Sequence, residues 1–485
     1  MIALTSFGRG RFPLASTLLT TLVLVANGFA HAAEPLSPTA REATRKAPLT
    51  ALDRYVHTPD PAYSWKMAGS VKGEGGTAYY LDMVSQTWLT TNEVNRPEWR
   101  HWVVIAKPDQ LEHSTALLFI AGGGNKDQKP PRVNGDLVRI ARETKSVVVE
   151  LKMVPNQPVI FGGDGEERVE DNLIGYTWDK FLRTGDEKWP ARLPMTKAAV
   201  RAMDTVTAFC ASEAGGGVKV DQFVVAGGSK RGWTTWTTAI VDRRVVGICP
   251  IVIDVLNVEA SMMHHYQAYG FWAPAVGDYV RHGTMDRMQT PAMHALMKIE
   301  DPYSYVDRLK IPKLMLNATG DQFFLPDSSQ FYFDTLHDPK YLRYVPNADH
   351  SLKGSDAYET LLAWHQTLIA GKPLPKFDWK HRRDGTVRVR TPERPVAVKL
   401  WQATNPKARD FRIESLGPVW TSQPVAGTDQ GVYESRVSAP AAGWTAYFME
   451  LTFDVGAATP LKLTTDVRVT PDTLPHPAPQ PRRVP

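Results

Sequence analysis

The chain has 485 residues, 43% hydrophobic and 22% charged; that is a globular mixture, which excludes disordered and fibrous classes and leaves room for about two to four domains. Its formal net charge of +5 comes from 56 basic and 51 acidic side chains with no dense Lys/Arg patch, so nothing points to nucleic acid. Two cysteines exclude a disulfide scaffold and a four-cysteine zinc site.

Residues 1–32 read as a secretory signal. Arg9 and Arg11 form a positive start, 13–26 is a short apolar run, and Ala30-His31-Ala32 matches an A-x-A cleavage site. The run is shorter than the ~20 residues a bilayer span needs, and no later stretch is apolar enough. The expectation is an exported chain, periplasmic or extracellular, with no membrane span. Cys210 and Cys249 then meet an oxidising compartment; a bond between them and two buried thiols both stay open. Residues 33–48 read as a polar leader. Within an α/β domain over 49–385, residues 49–107 are strand-like, with aromatic and β-branched runs at 77–88 and 99–106.

From 116 to about 352, short apolar runs at 116–121, 146–151, 222–226, 245–253, 313–317 and 341–345 alternate with helical stretches such as 195–211. Continuous apolar strands separated by helices imply a mainly parallel sheet covered on both faces. Residues 255–312 form a long insertion, read as a lid. From 386 to 472 the runs are closely spaced and strand-like (387–390, 396–402, 411–416, 432–438, 445–453 and 461–467), which predicts an antiparallel, sandwich-like all-β domain. A Pro-rich tail, 473–485, follows.

The most informative stretch is 222–233, QFVVAGGSKRGW. A buried strand runs into a glycine-flanked turn with Ser229 at its apex, and a helix follows. A nucleophilic serine needs such a tight turn, which lifts its oxygen above the sheet. The pattern is G-x-S-x-x-G, so the second glycine, Gly232, comes one residue later than in the usual elbow. A serine hydrolase of this architecture orders its residues as nucleophile, acid, base. Asp321 follows the run at 313–317, and His350 follows the run at 341–345. Active sites of open α/β sheets lie at these C-terminal strand edges. His350 is therefore expected to take the Ser229 proton, with Asp321 orienting the imidazole; Asp254 and Asp349 are rival acids. The backbone N–H of Lys230 and the loop Gly122-Gly123-Gly124 are expected oxyanion donors, with Gly123 and Gly124 named first.

Arg231 and the lid residues His264, His265, Tyr266 and Trp272 are candidate substrate contacts. Adjacent His264 and His265 do not share a helical face, so no metal and no cofactor is expected. The acidic run 162–171 reads as a solvated loop that leads into a helix.

Four strings carry a family resemblance: Pro155-Asn156-Gln157-Pro158; Glu170-Asp171-Asn172 with Tyr176-Thr177-Trp178; Arg192-Leu193-Pro194-Met195-Thr196-Lys197; and Gly228-Ser229-Lys230-Arg231-Gly232-Trp233. Over about 45–470 the chain resembles the PhoPQ-activated pathogenicity-related proteins. The resemblance implies an α/β-hydrolase fold, bacterial export, and a link to virulence or to resistance against host cationic peptides. It supplies no substrate. Three functions compete: a secreted esterase acting on a small-molecule ester, a prolyl-oligopeptidase-like peptidase, and a binding or signalling protein on a hydrolase scaffold. The sequence leaves the oligomeric state unknown.

Overall fold

A computed structural model describes residues 49–480. The expected signal segment, the leader and the last five residues of the tail lie outside the described residues. The chain begins with a helix that the strand-like reading of 49–107 missed, α1 (Ala51–His57). Its signal is a capping box: Thr50 accepts from the Asp53 N–H, and Asp53 accepts from the Thr50 N–H. Three antiparallel strands follow, β1 (Ser64–Gly73), β2 (Gly76–Thr87) and β3 (Glu98–Pro108).

The core then alternates as predicted: β4 (Thr115–Ile120), α2 (Gly135–Thr144), β5 (Val148–Leu151), α3 (Glu170–Thr184), α4 (Arg192–Ala211), β6 (Gln222–Gly228), α5 (Lys230–Val241) and β7 (Val245–Ile251). The insertion is helical, with α6 (Val258–Tyr269), α7 (Gly277–Arg281) and α8 (Pro291–Glu300). Strands β8 (Lys313–Ala318) and β9 (Lys340–Val345) and helix α9 (Ala357–Ile369) complete the core.

Strands β5, β4, β6, β7, β8 and β9 lie side by side in that order and are parallel. Adjacent residues face opposite cores because side chains alternate along a strand. Leu118, Val149 and Val225 pack with Met203, Val206 and Trp236 on one face. Leu117, Val148 and Val224 pack with Leu137, Ile140 and Leu361 on the other. Helices therefore cover both faces, which is why these strands read as unbroken apolar runs. Cys210 and Cys249 are both buried and free.

The C-terminal region is antiparallel: β10 (Asp378–His381), β11 (Thr386–Arg390), β12 (Ala397–Asn405), β13 (Thr421–Pro424), β14 (Val432–Arg436), β15 (Trp444–Phe453), β16 (Leu461–Thr464) and β17 (Arg468–Thr470). The stretch read as a strand at 411–416 is instead a helical turn, α10 (Ile413–Leu416), whose Ile413 N–H donates to the Gly320 carbonyl. Strands β10, β11 and β14 make a small separate sheet. The others extend the central sheet, because β16 pairs with β9 (Thr464 opposite Leu342) and passes the ladder to β15, β12 and β13. Leu461 and Leu463 of β16 share a core cluster with Leu361 and Trp364 of α9. The order of the parallel strands, their helical crossovers and the serine turn after β6 together make this an α/β-hydrolase fold with a C-terminal antiparallel region. Among the described residues, no helix is long and apolar enough to cross a membrane.

Candidate active site

Ser229 sits between β6 and α5 with φ +58° and ψ −124°, a conformation that costs a non-glycine residue free energy and persists only where its surroundings enforce it. The Ser229 N–H donates to the Ile251 carbonyl at 2.8 Å, and its carbonyl accepts from Trp233 at 3.0 Å. The flanking glycines permit the turn. A Cβ at Gly227 would meet the Arg231 carbonyl oxygen at 2.8 Å, and one at Gly232 would meet the Gly227 and Ile251 carbonyl oxygens at 2.8 and 2.9 Å. The late glycine thus does the work expected of the usual position: helix and strand touch at Gly232. Lys230 opens α5, so its N–H lies in the first turn, where helical N–H groups have no intrahelical acceptor and favour negative charge.

Asp321 and His350 lie beyond the C-terminal ends of β8 and β9, at the same edge as Ser229. His350 Nδ1 and Asp321 Oδ2 are 2.8 Å apart. Asp321 Oδ1 accepts the backbone N–H of Phe323 at 2.8 Å, which fixes the carboxylate. Gln322 accepts the His350 N–H at 3.0 Å, and the Phe323 ring packs 4.3 Å from the imidazole. His350 Nε2 is buried with no hydrogen-bond partner and makes no bond to Ser229, although both residues line one open cleft of about 520 Å³. The rival acids are engaged elsewhere. Asp254 accepts from the hydroxyls of Tyr332 and Tyr344, each at 2.6 Å, and burial pushes its carboxyl up to about 7. Asp349 accepts from Ser351.

Behind the turn lies a charged cluster that the sequence reading dispersed. Arg231, expected to contact substrate, instead grips Glu170 through both terminal nitrogens (2.8 and 2.6 Å) and donates to the Val154 carbonyl. Its guanidinium lies against Gly122, and the side chain is only 12% exposed. The Lys230 ammonium is 2.9 Å from Asp171 and 3.1 Å from Glu170. Gln157 holds Glu170 at both ends, donating to its carboxylate and accepting its N–H. Burial would raise the Glu170 carboxyl, but Arg231 and Lys230 beside it bring it down to about 2. Asp171 also accepts from Tyr279 of the lid at 3.0 Å. Arg192 stacks 3.8 Å over Trp233 and pairs with Glu300 at 2.5 Å. The acidic run 162–171 is therefore only partly a solvated loop. Asp164 and Glu166 neutralise Arg168, whereas Glu170 and Asp171 turn inward.

Two further expectations are corrected. The Gly124 N–H, named as an oxyanion donor, donates to the Asp127 carboxylate at 2.9 Å. Neither Gly123 nor Gly124 lines a cavity that Ser229 lines. In the lid, His264 is buried against Asp327, 3.0 Å away, which also holds Arg409. His265 accepts the Ala273 N–H at 3.1 Å, and burial pushes its imidazole down to about 3. Both histidines are packing residues. Tyr266 and Trp272 line a separate cavity of about 120 Å³. Lid residues that line a cavity with Ser229 include Met262, Met285, Met288 and Tyr279, for which the sequence carried only a methionine-rich signal.

A family model for the PhoPQ-activated pathogenicity-related proteins matches residues 52–412. Autocrine proliferation repressor protein A of Dictyostelium discoideum is 38% identical over 455 residues, covering 88% of this chain and 91% of that protein. Among solved structures, an acetyl xylan esterase from Paenibacillus sp. R4 is similar with a TM-score of 0.45 and 16% identity, over 69% of this chain and all of that one. A glucuronoyl esterase from Solibacter usitatus gives 0.37 and 13% identity, over 64% and 89%. On the match over 52–412 and the 38% identity, the chain belongs to the PhoPQ-activated pathogenicity-related protein family.

Proposed function

We propose that this chain is an exported serine hydrolase that cleaves esters through an acyl-enzyme. The observation that carries this reading is the pairing of a strained serine turn with an Asp321–His350 hydrogen bond at the same sheet edge. In the proposed cycle, His350 Nε2 takes the Ser229 proton as Oγ attacks the ester carbonyl. Asp321 holds Nδ1 protonated and stabilises the imidazolium. The Lys230 N–H supports the oxyanion. His350 then returns the proton to the departing alcohol oxygen, and water releases the acid by the same route in reverse.

The absent Ser229–His350 bond is compatible with this role, because catalytic hydrogen bonds in apo sites often tighten only when substrate is bound. Export rests on residues 1–32, and a link to virulence or cationic-peptide resistance rests on the family. The test is mass spectrometry after treatment of the mature chain with a small fluorophosphonate. Wild type is expected to gain one adduct at Ser229, and Ser229→Ala and His350→Ala none. Folded wild type that stays unmodified refutes the reading. The 38% identity to a proliferation repressor favours a second reading, a signalling protein on this scaffold, and an unreactive Ser229 would move weight there.

A further inference from the structure

Ser229 stands between two cavities of opposite character. One is the open cleft of about 520 Å³ that it shares with His350, lined also by Asp136, Ser351, Lys353, Tyr358 and Glu359. The other is a pocket of about 50 Å³ on the lid side, walled by Trp233, Met262, Met285, Met288, Phe323 and Phe324. Of the charged groups at its margin, Asp171 pairs with Lys230 and Tyr279, and Arg192 pairs with Glu300; Arg192 Nε, Thr284 Oγ1 and Trp178 Nε1 have no partner but are themselves buried.

From this asymmetry we infer that the enzyme hydrolyses esters of short, apolar carboxylic acids with bulky, polar alcohols. The inference rests on the hydrolase reading above. The leaving oxygen must take its proton from His350, so the alcohol occupies the cavity that His350 lines. The acyl group is left with the small pocket, which His350 does not line and Lys230, the oxyanion donor, does. At about 25–30 Å³ per carbon-sized group, 50 Å³ holds roughly two such groups, the alkyl tail of a two- to four-carbon acyl chain. The charged side chains of the wall are paired, and its unpartnered polar atoms are buried, so a polar acyl group meets mostly apolar side chains. In the reaction the Ser229 Oγ–acyl bond forms as the acyl–alkoxy bond breaks. The Ser229 proton passes through His350 to the alcohol, and water then yields the free acid and restores Ser229.

The pocket's limit is a partition. Met285 and Met288 line both this pocket and the neighbouring 120 Å³ cavity that contains Tyr266 and Trp272. Truncating either methionine joins the two spaces.

The experiment is kcat/KM for 4-nitrophenyl acetate, butyrate, hexanoate and octanoate, with wild type, Met288→Ala and Met285→Ala. Wild type is expected to favour acetate or butyrate and to lose at least about tenfold by hexanoate, the scale of discrimination that one excess methylene produces in a hydrophobic pocket. Either methionine variant is expected to raise the hexanoate-to-acetate ratio about tenfold. The wild-type series decides the matter even where one variant fails to fold. Preference of wild type for hexanoate or octanoate, with Ser229 still modified by the fluorophosphonate, overturns the acyl-pocket inference and leaves the hydrolase reading standing. Folded wild type that neither hydrolyses any ester nor takes the adduct overturns both.

Discussion

The two sides of the serine turn are built on different plans. In front, at the sheet edge, the side chains of Ser229, Asp321 and His350 are joined by one bond; it ties acid to base at 2.8 Å, and His350 Nε2 has no partner. Behind, Lys230, Arg231, Glu170, Asp171 and Gln157 form a connected cluster in which each charge has at least two partners. On the proposed mechanism, the groups that would react are left free to change partners, whereas the groups that hold the backbone are satisfied several times over. Loss in front should remove chemistry and spare the fold, and loss behind should do the reverse.

The sharpest break of that contrast is at the front. Ser229→Ala and His350→Ala should lower ester turnover by roughly 10⁴–10⁶-fold with an unchanged melting temperature, and Asp321→Asn by roughly 10³–10⁴-fold, since the amide no longer holds the imidazole tautomer. Steady-state kinetics beside thermal melts check both halves of the statement; a large loss of stability in Ser229→Ala would erase the contrast.

Behind the turn, Glu170→Gln leaves Arg231 with no anionic partner at its guanidinium. The cost should be about 2–3 kcal/mol in urea unfolding, less than for a fully buried pair because Glu170 is 38% exposed. Turnover of the folded fraction should drop by no more than about 10²-fold, as expected for displaced rather than missing groups.

The same cluster predicts an acid limb. The Glu170 carboxyl titrates near 2 when folded, below its ordinary value of 4.5. Its contribution to stability is therefore present above about pH 4.5 and is lost as pH falls from there toward 2. Wild-type stability should decline across that window, and the decline should be shallower in Glu170→Gln. Asp254 has the opposite sign. Its carboxyl titrates near 7 when folded against 3.8 ordinarily, so its contribution is full below about 3.8 and is lost as pH rises to about 7. Asp254→Asn should gain on wild type between pH 5 and 8 and leave turnover nearly unchanged, the smallest effect on activity of the set. A collapse of activity in that variant would place Asp254 in the chemistry after all.

What could be read from the sequence follows from which signals are local. The parallel strands were legible because burial on both faces makes runs such as ALLFIA at 116–121 continuous, and Asp321 and His350 because each follows such a run. Lys230 and Arg231 stood out as charges but could not be assigned, since their partners Glu170 and Asp171 lie about 60 residues away in a run whose other acids do face solvent. The glycine loop misled because a sequence shows that an N–H exists and not where it points; Asp127 claims the one on Gly124. His264 and His265 misled for the opposite reason, as conspicuous polar residues whose roles are met inside the core. Three of the strings that identified the family, 155–158, 170–178 and 228–233, supply the charged cluster behind the turn, and Arg192 of the fourth stacks on Trp233 beside it, so the recognisable pattern marks the scaffold of the site more than its proposed reagents.

The pairing of β16 with β9 has a consequence for anyone who cuts or recombines this gene. The strand that delivers His350 has the C-terminal region as its neighbour in the ladder. A chain ended near residue 385 would leave β9 with open N–H and C=O groups along one side, a template for pairing with another molecule. The last hundred residues are thus no detachable cassette: a shortened protein should aggregate, and a graft of this region from a relative should succeed only if it carries a strand that mates with β9.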